Sequence, residues 1–368
     1  MSTFAVTAER VQVHPHPNAD ALELAQVGLY RAVVAKGKFV TGDYAIFIPE
    51  QAILPDALIE ELGLTGRLAG KNKNRVKAVR LRGELSQGLV CIPELLAGAN
   101  FKQLHDSKQN LADILGIVKY VPEVPAQMSG EVQAAQNTLP WVDIENIKRY
   151  PDLFTGGETV TATEKVHGTC TIYGYNVITE EEEVTSKGLG SKHLALKENE
   201  NNLYWRMVRK QRLRDFARNV ALTYRMKNAT GATDGIEVMQ VGVFGETYGK
   251  GVQDLAYGVD TPQFVVFDIS IKDVSGNVTW LDQDTVRAFA DEMDMPMVPE
   301  LYRGPYNYEV LANIAEGKET ISGKGANVRE GVVVRPLVET RSDVTGDRKI
   351  GKIVSAAYLT RKGGTEYE

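Results

Sequence analysis

The sequence predicts an α+β protein in which a small N-terminal β-barrel precedes a mixed α/β domain with antiparallel sheets. Short apolar or alternating segments, each ended by turn residues, fill about the first 95 positions. A proline-containing polar stretch then interrupts this pattern, and helical periodicity with longer apolar segments follows after Trp141. We therefore expect a barrel domain over 1–110, a linker over 111–140 and a larger domain over 141–368.

The N-terminal part contains short predicted strands and one predicted helix, Asp56–Leu62. The strands are Phe4–Val13, Leu22–Val27, Tyr30–Ala35, Tyr44–Ile48 and Gly88–Pro93. Five or so strands in this length suggest a small barrel such as an OB-fold. The segment HPNADALELAQVG (16–28), followed by AVVAKGKFVTGDYAIFIP (32–49), resembles the OB-type RNA-binding modules attached to some tRNA synthetases and ligases.

The sequence pattern changes twice in the rest of the chain, first to a polar segment with prolines and then to mixed helix and strand patterns. LGIVKYVPEVPAQMSGEVQ (115–133) carries two prolines among small and polar residues, which is typical of a linker. Further on, Leu203–Asn228 is the clearest helix, because its apolar residues recur at spacings of three and four. The run Glu180–Glu183 is typical of a solvated hairpin tip. Later strands are predicted at Val238–Phe244, Phe264–Ile271 and Gly331–Arg335.

Composition excludes several classes of protein. No apolar run approaches the roughly 18 residues that a membrane span needs, and the N-terminus MSTFAVTAERVQV lacks the apolar core of a secretory signal. Cys91 and Cys170 match no metal-binding spacing, and two buried thiols are typical of a reducing compartment. We therefore expect a cytoplasmic protein without a membrane partner.

The formal net charge of −6 means that nucleic-acid binding would need local basic patches. Residues 66–82 contain seven basic and no acidic side chains, and residues 206–218 contain six basic side chains against Asp215. In the first patch the basic residues alternate with Val76, Val79 and Leu81, which suggests a strand with a basic outer face. Taken alone, each patch is equally compatible with a plain solvated surface.

The segment TATEKVHGTCTIYGY (161–175) is the most informative for chemistry. Lys165 lies between two β-rich stretches, and the turn that follows contains Gly168, which permits close approach of the backbone to a phosphate. Alone, the segment would also fit a hairpin with an ordinary surface lysine. Four later segments place charged residues beside apolar strands, which is costly unless the charges are paired or bind a ligand. They are GVFGETYG (242–249), FVVFDIS (264–270), REGVVVRP (329–336) and KIGKIVSAAYL (349–359).

These segments, in this order, resemble the covalent nucleotidyltransferase superfamily of ligases and capping enzymes. KVHGT is similar to motif I, FGETYG to motif III, FVVFDI to motif IIIa, EGVVVRP to motif IV and the terminal lysines to motif V, while TSKGLGS (185–191) takes the place of motif Ia. His167 replaces the aspartate of most members, as in the RNA ligase 2 family. Only 16 residues follow Lys352, too few for the C-terminal OB domain of DNA ligases and capping enzymes. The order of domains resembles the Deinococcus-type RNA ligases.

The resemblance implies a role for each candidate residue. Lys165 would attack the α-phosphorus of ATP, and Lys349 and Lys352 would favour its neutral amine and neutralise the phosphate. The adenosine would be held by Glu246 at the ribose, by Phe267 stacked on adenine and by the backbone around Glu164. The ATP phosphates would lie beside His167, Gly168 and Lys187, and Glu330 would be a ligand of Mg²⁺ or Mn²⁺. Asp268 would bind metal or serve as a buried structural carboxylate.

The implied activity is ATP-dependent joining of RNA ends with a 3′-OH and a 5′-phosphate, through lysyl-AMP and an adenylylated 5′-end. The partner is then RNA, held by Lys73, Arg75, Lys77 and Arg80, and no obligate protein partner is expected. Two alternatives stay open: a DNA ligase or capping-type enzyme, and a non-catalytic RNA-binding protein built on the OB module. His167 disfavours the first, and the combination of Lys165, Glu246 and Glu330 disfavours the second.

Overall fold

A computed structural model describes residues 4–135, 139, 141, 143–229 and 237–365, with the side chains of 225–229 left undescribed. Contacts divide the chain into two compact units. The first contains 1–121, 145–151 and 359–361, and the second contains 122–144, 152–358 and 362–368. In the part of the chain that the structure describes, no helix is both long and apolar enough to cross a membrane.

The first unit is built from short antiparallel strands. Its elements are β1 (Thr7–Arg10), β2 (Gln12–Pro15), β3 (Leu22–Val27), β4 (Tyr30–Ala35), β5 (Tyr44–Ile48), β6 (Ala52–Ile53), α1 (Asp56–Glu61), β7 (Val79–Leu81), β8 (Glu84–Ser86), β9 (Leu89–Cys91), a 3₁₀ turn (Glu94–Leu96), α2 (Phe101–Asp106), β10 (Val118–Lys119) and β12 (Glu145–Asn146). The strands pair in the orders β1-β5-β9, β2-β3-β4, β6-β10 and β7-β8. Five strands and helix α1 lie within or at the segments predicted for them.

The predicted linker over 111–140 is divided between the two units. Leu111, Leu115 and Ile117 are buried in the apolar core of the first unit. Met128 is buried in the core of the second unit, and Val132–Ala134 pairs as strand β11 with Leu194–Leu196 of that unit. Pro122 and Pro125 therefore mark a change of unit and not a free connection.

The second unit contains the elements that carry the motifs. They are β11 (Val132–Ala134), β13 (Thr159–Lys165), β14 (Thr169–Asn176), β15 (Glu182–Ser186), α3 (Lys187–Gly190), β16 (Leu194–Leu196), α4 (Leu203–Lys210), α5 (Leu213–Ala229), β17 (Val238–Tyr248), β18 (Gln263–Asp273), β19 (Val278–Trp280), α6 (Gln283–Glu292), β20 (Glu300–Pro305), α7 (Tyr308–Ala315), β21 (Gly331–Pro336), β22 (Gly351–Val354) and α8 (Ala356–Leu359).

Two antiparallel sheets position the site. One has the order β11-β16-β15-β14-β17-β18-β19, and in the other the strands of this unit run in the order β22-β21-β13-β20. The chain passes from the second sheet to the first between β13 and β14, so Lys165 stands where the two sheets adjoin in sequence. Leu203, Phe216 and Val220 pack on the first sheet in a common apolar core with Val241 and Ile269.

The predicted helix Leu203–Asn228 is broken into α4 and α5. Arg212 has a φ of 53°, a left-handed conformation that ends a helix. At the start of α4 the Asn202 side chain accepts hydrogen bonds from the backbone of Tyr204 and Trp205. The break leaves both Val208 and Leu213 buried, so the apolar pattern continues across it.

The basic stretch 66–82 also differs from its prediction. Only Val79–Leu81 forms a strand, because the backbone turns through left-handed conformations at Gly66, Gly70 and Lys73. Val76 is buried, whereas Val79 and Leu81 are exposed. The alternating apolar residues therefore do not belong to one strand. Val76 anchors a loop, and Val79 and Leu81 lie in a short exposed hairpin.

Candidate active site

The turn 166–168 between β13 and β14 presents Lys165. Gly168 is required here by space: a Cβ at this position would collide with the backbone carbonyl of Thr247 and crowd the Glu246 side chain. Strand β14 then pairs with β17 so that Cys170 faces Glu246. On the other side β13 pairs with β21 so that Lys165 faces Gly331. These two registers bring motifs from distant parts of the sequence to one lysine.

The Lys165 ammonium donates a hydrogen bond to Glu330 Oε1 at 2.6 Å, and its side chain is 26% exposed. Burial alone would lower the pKa of this ammonium, but the carboxylates of Glu330 and Glu246 hold the pKa above its ordinary value. We expected neighbouring cations to favour the neutral amine. In the structure Lys165 instead pairs with the anionic Glu330 carboxylate, and the resting lysine is protonated.

Glu330 is buried between cationic groups. Burial would raise the pKa of its carboxyl, but Lys165, His167 and Lys352 hold the pKa below its usual range. Its second oxygen, Oε2, is buried and has no hydrogen-bond partner among the described residues. A charged oxygen left without a partner is costly, which indicates that this atom is placed for a ligand.

Lys352 shares a face of the sheet with Lys165. Thr163 pairs with Val333, and Val333 pairs with Lys352. Because side chains alternate along a strand, Lys165, two residues beyond Thr163, points to the same side as this row. Lys352 therefore lies on the side of the sheet that carries Lys165.

Glu246 lies close to both Lys165 and Glu330. Burial raises the pKa of its carboxyl to about 8, a shift that Glu330 reinforces and that Lys165, the Gly168 backbone and Lys187 oppose. At neutral pH this group is therefore largely protonated and able to donate a hydrogen bond. Lys187 pairs with Asp143 at 2.9 Å and also acts electrostatically on Cys170, so it belongs to the same cluster.

His167 is buried, and both of its ring nitrogens are engaged. Nε2 lies 2.9 Å from Asp254 Oδ1, and Nδ1 lies 2.9 Å from the hydroxyl of Tyr358. Its backbone N–H donates to the Tyr257 hydroxyl at 2.6 Å. The sequence predicted that His167 organises the phosphate or metal environment. The structure shows a residue that is itself held by three hydrogen bonds, two at the ring and one at the backbone.

Glu164 and Phe267 are anchored by neighbouring elements. The Glu164 N–H donates to the carbonyl of Pro299, and its carboxylate accepts from the backbone of Thr320 at 2.8 Å. Phe267 sits at a bulge of β18, since Phe244 pairs with Asp268 while Gly245 pairs with Val266. A small cavity beside it is lined by Trp141, Ile144, Phe244, Phe267, Asp268, Trp280, Arg348 and Ile350.

Two predicted site residues, Lys349 and Asp268, form ion pairs that do not involve Lys165. The Lys349 ammonium pairs with Glu158 at 2.7 Å, just before β13 begins, whereas Lys165 ends that strand about 20 Å away. Asp268 accepts from Arg335 at 2.8 Å and from Arg348 at 3.0 Å and 3.1 Å, so both its oxygens are used. Lys349 thus pairs away from Lys165, unlike its predicted place, and the pairing of both Asp268 oxygens favours the structural one of the two roles expected for it.

Sequence reasoning missed the partners of these residues. Arg348, which stacks over Trp280 at 4.0 Å, immediately precedes the lysines of the last motif. Arg335 was visible in REGVVVRP as a charge inside an apolar strand, and such a buried cation signals a buried anion. Asp254 and Tyr257 lie in a loop with no recognisable pattern, so the sequence carried no signal for them.

The RNA-binding candidates belong to the first unit. Lys73 and Arg80 are exposed, and Lys77 is half-buried. The Arg75 guanidinium instead lies over the Tyr120 ring at 4.1 Å. Arg75 thus packs against an aromatic ring, and the phosphate contacts expected of these four residues stay predictions.

Comparisons with known proteins agree with this geometry. The profile of the RNA ligase family matches residues 158–354, which is more than half of the chain and includes Lys165, Glu246, Glu330 and Lys352. The chain belongs to the RNA ligase family. It is therefore an enzyme that joins RNA. A second profile, of an OB-fold domain, matches residues 5–93 of this RNA ligase.

Solved structures show the same fold. Naegleria gruberi RNA ligase with PPi has a TM-score of 0.75 and 20% sequence identity, over 97% of this chain and 98% of that one. A mutant of the Naegleria enzyme with ATP and Mn gives the same score and identity over 96% and 98% of the two chains. The predicted architecture of this RNA ligase, an OB-fold domain followed by a nucleotidyltransferase domain, is confirmed.

Proposed function

We propose that this RNA ligase uses ATP to form a covalent lysyl-AMP on Lys165 and seals 3′-OH and 5′-phosphate RNA ends. One observation supports this proposal most directly. Four side chains meet at one turn between two sheets: Lys165, Glu246, Glu330 and Lys352. Two carboxyl groups and a second lysine around the nucleophile suit a substrate that carries both hydroxyls and phosphates. AMP then passes to the RNA 5′-phosphate, and attack by the 3′-OH releases it.

The residues present fit a nucleotide together with a hard divalent cation. Buried Oε2 of Glu330 has no partner in the described part of the chain, and a carboxylate oxygen is a preferred ligand of Mg²⁺ or Mn²⁺. Among the described residues no three acidic, histidine or cysteine side chains form a metal site by themselves. Phosphate oxygens of the nucleotide would complete the ligands of a bound cation, and the cation would neutralise charge at the α-phosphate. Relatives in complex with ATP and Mn, or with AMP and Mn, support this assignment.

Glu246, Phe267 and Lys187 are proposed to hold the rest of the nucleotide. A Glu246 carboxyl that is largely protonated at neutral pH can both donate to and accept from ribose hydroxyls. Phe267, partly exposed at its bulge, offers a ring face for stacking on a base. Lys187 and Lys352 supply positive charge for the phosphates, while Gly168 leaves room for them.

The first step requires Lys165 to lose a proton, which passes to the solvent that reaches its partly exposed side chain. Its ammonium is held by Glu330, so any interaction that draws the Glu330 carboxylate away from Lys165 lowers the pKa of the amine. The free electron pair of Nζ then forms a bond to the α-phosphorus. The bond from this phosphorus to the bridging oxygen breaks, and pyrophosphate leaves with its electron pair.

Sealing assays test this proposal. The full chain is incubated with ATP or GTP and with nicked duplexes of RNA, DNA or both. ATP-dependent sealing of RNA 3′-OH/5′-phosphate ends is expected. Sealing of DNA nicks alone would indicate a DNA ligase, and transfer of GMP to an RNA end would indicate a capping-type enzyme. RNA binding without any transfer of AMP to the protein or the RNA would contradict catalysis.

A further inference from the structure

One loop of the second unit contacts the turn that presents Lys165. Residues 249–258 form the first part of the connection between β17 and β18, and they reach this turn at three places. The Tyr257 hydroxyl accepts from the His167 backbone N–H at 2.6 Å, and Asp254 Oδ1 lies 2.9 Å from His167 Nε2. The Gln253 side-chain amide donates to the Gly168 carbonyl. We call residues 249–258 the bracing loop.

The bracing loop is itself held by a residue near the end of the chain. Thr365 donates from its backbone N–H to Asp254 Oδ1 at 2.8 Å, and the backbone N–H of Asp254 donates to Thr365 Oγ1 at 2.9 Å. Thr365 Oγ1 also lies 3.0 Å from Asp254 Oδ1. These contacts close a ring of hydrogen bonds between positions that are 111 residues apart in sequence.

Asp254 and Tyr358 together determine the state of the His167 ring. A carboxylate can only accept, so His167 Nε2 carries the hydrogen that points to Asp254. In the neutral ring Nδ1 is then an acceptor, and the Tyr358 hydroxyl donates to it at 2.9 Å. The ring is only 4% exposed in its side chain, so solvent does not replace these partners. Orientation and tautomer of His167 are thus set by Asp254, which lies outside the motif segments, and by Tyr358, which lies near the end of the last one.

We propose that Asp254, braced by Thr365, is a positioning residue that holds the turn 165–168 in the geometry required for attack of Lys165 on ATP. The inference rests on the proposed function. Asp254 acts through His167 and the backbone of the turn, and it contacts no reacting atom. Its loss therefore slows the chemical step while nucleotide binding, which depends on Glu246, Phe267 and the phosphate-binding lysines, is largely retained.

The test is a set of single-turnover measurements with radiolabelled ATP on the full chain. Four variants are compared with the wild type: Asp254→Ala, Asp254→Asn, Thr365→Val and the double variant Asp254→Ala with Thr365→Val. For each, the maximal rate of protein labelling and the ATP concentration giving half that rate are determined. Thr159→Val, an exposed substitution at the far end of the strand that carries Lys165, is the matched control.

Asp254→Ala is expected to lower the maximal rate by about 10-fold or more, with the half-saturating ATP concentration changed by less than about 3-fold. Asp254→Asn keeps an acceptor for Nε2 and for Thr365, so it should recover most of this loss. Thr365→Val should slow labelling in the wild-type background and have no further effect in Asp254→Ala, because the two residues act as one unit.

Three results would overturn the inference. They are wild-type labelling rates in Asp254→Ala, a loss confined to ATP half-saturation, and an undiminished effect of Thr365→Val in the double variant. Should Asp254→Ala fail to fold, Asp254→Asn and Thr365→Val still test the claim, because a rate unchanged in Thr365→Val contradicts it. Absence of labelling in the wild type would instead refute the proposed function itself, which keeps the two failures distinct.

Discussion

Glu246 shows how the active site affects stability at the scale of one residue. Burial raises the pKa of its carboxyl from 4.5 to about 8 in the folded protein. Between these two values the folded protein keeps a proton that the unfolded chain releases. Folding stability contributed by this group is therefore fully present below pH 4.5 and is lost as pH rises through about 8.

Glu246→Gln is predicted to stabilise the protein at alkaline pH and to impair catalysis. The amide carries no charge to be buried, so the melting temperature of the variant should exceed that of the wild type at pH 9 and approach it at pH 5. Each kcal/mol gained corresponds to about 2–4 °C in a unit of this size. Calorimetry at both pH values measures the difference, and labelling by ATP should be slower. An equal melting-temperature difference at both pH values would contradict this account.

Asp268 illustrates why some residues could not be assigned from the sequence. In FVVFDIS a carboxylate at the end of an apolar strand fits either a metal ligand or a structural anion. The choice depends on Arg335 and Arg348, which lie 67 and 80 positions away in sequence and meet Asp268 only in the folded protein. These guanidinium groups outweigh burial and hold the pKa of Asp268 below its ordinary value.

At the scale of elements, the two basic patches behave differently. In the second patch four of the six basic side chains have acidic partners: Arg209 pairs with Glu182, Arg212 pairs with Asp215, and both Arg214 and Arg218 pair with Glu180. The predicted solvated tip Glu180–Glu183 is thus a set of partners for these arginines. In the first patch Lys73 and Arg80 are exposed, and no acidic residue lies between 66 and 82.

Lys73→Ala with Arg80→Ala is therefore predicted to weaken RNA binding through the loss of phosphate contacts. The slope of log affinity against log salt should fall by about 1.4–1.8 in total, since each lost contact contributes about 0.7–0.9. Arg214→Ala with Arg218→Ala removes the same number of charges from the second patch, where both arginines pair with Glu180, and serves as the control. Labelling by ATP should not change in either double variant. Equal slopes for the two double variants would show that residues 66–82 do not contact RNA phosphates.

Local sequence patterns predicted the short strands of the first unit correctly. Leu22–Val27, Tyr30–Ala35 and Tyr44–Ile48 are strands with the expected bounds, because each is short, apolar and ended by turn residues. The break at Arg212 could not be predicted, since the apolar period continues across it. Lys165, Glu246 and Glu330 were found through the order of their motifs, whereas Asp254 and Thr365 depend on contacts that leave no local pattern.

At the scale of the whole molecule, the division into units determines which fragment can fold. Met128 is buried in the core of the second unit, and Val132–Ala134 pairs with Leu194–Leu196. A fragment beginning at residue 141 lacks both features. We predict that fragment 122–368 is labelled by ATP and that fragment 141–368 melts at a lower temperature and is labelled more slowly.

Circular dichroism and labelling of the two purified fragments check this prediction. If the first unit holds RNA, fragment 122–368 should be labelled and yet seal RNA poorly. Full sealing by that fragment would show that the first unit is dispensable. Equal melting temperatures of the two fragments would show that residues 122–140 do not support the fold of the second unit.

The central claim is that Lys165 is the nucleophile. The most direct measurement is the intact mass of the protein after incubation with ATP and Mg²⁺, for the wild type, Lys165→Ala and Lys165→Arg. The wild type should gain the mass of one AMP. Neither variant should gain it, because alanine has no nucleophile and a guanidinium does not deprotonate in this range. An AMP adduct on either variant, or an unmodified wild type, would contradict the account.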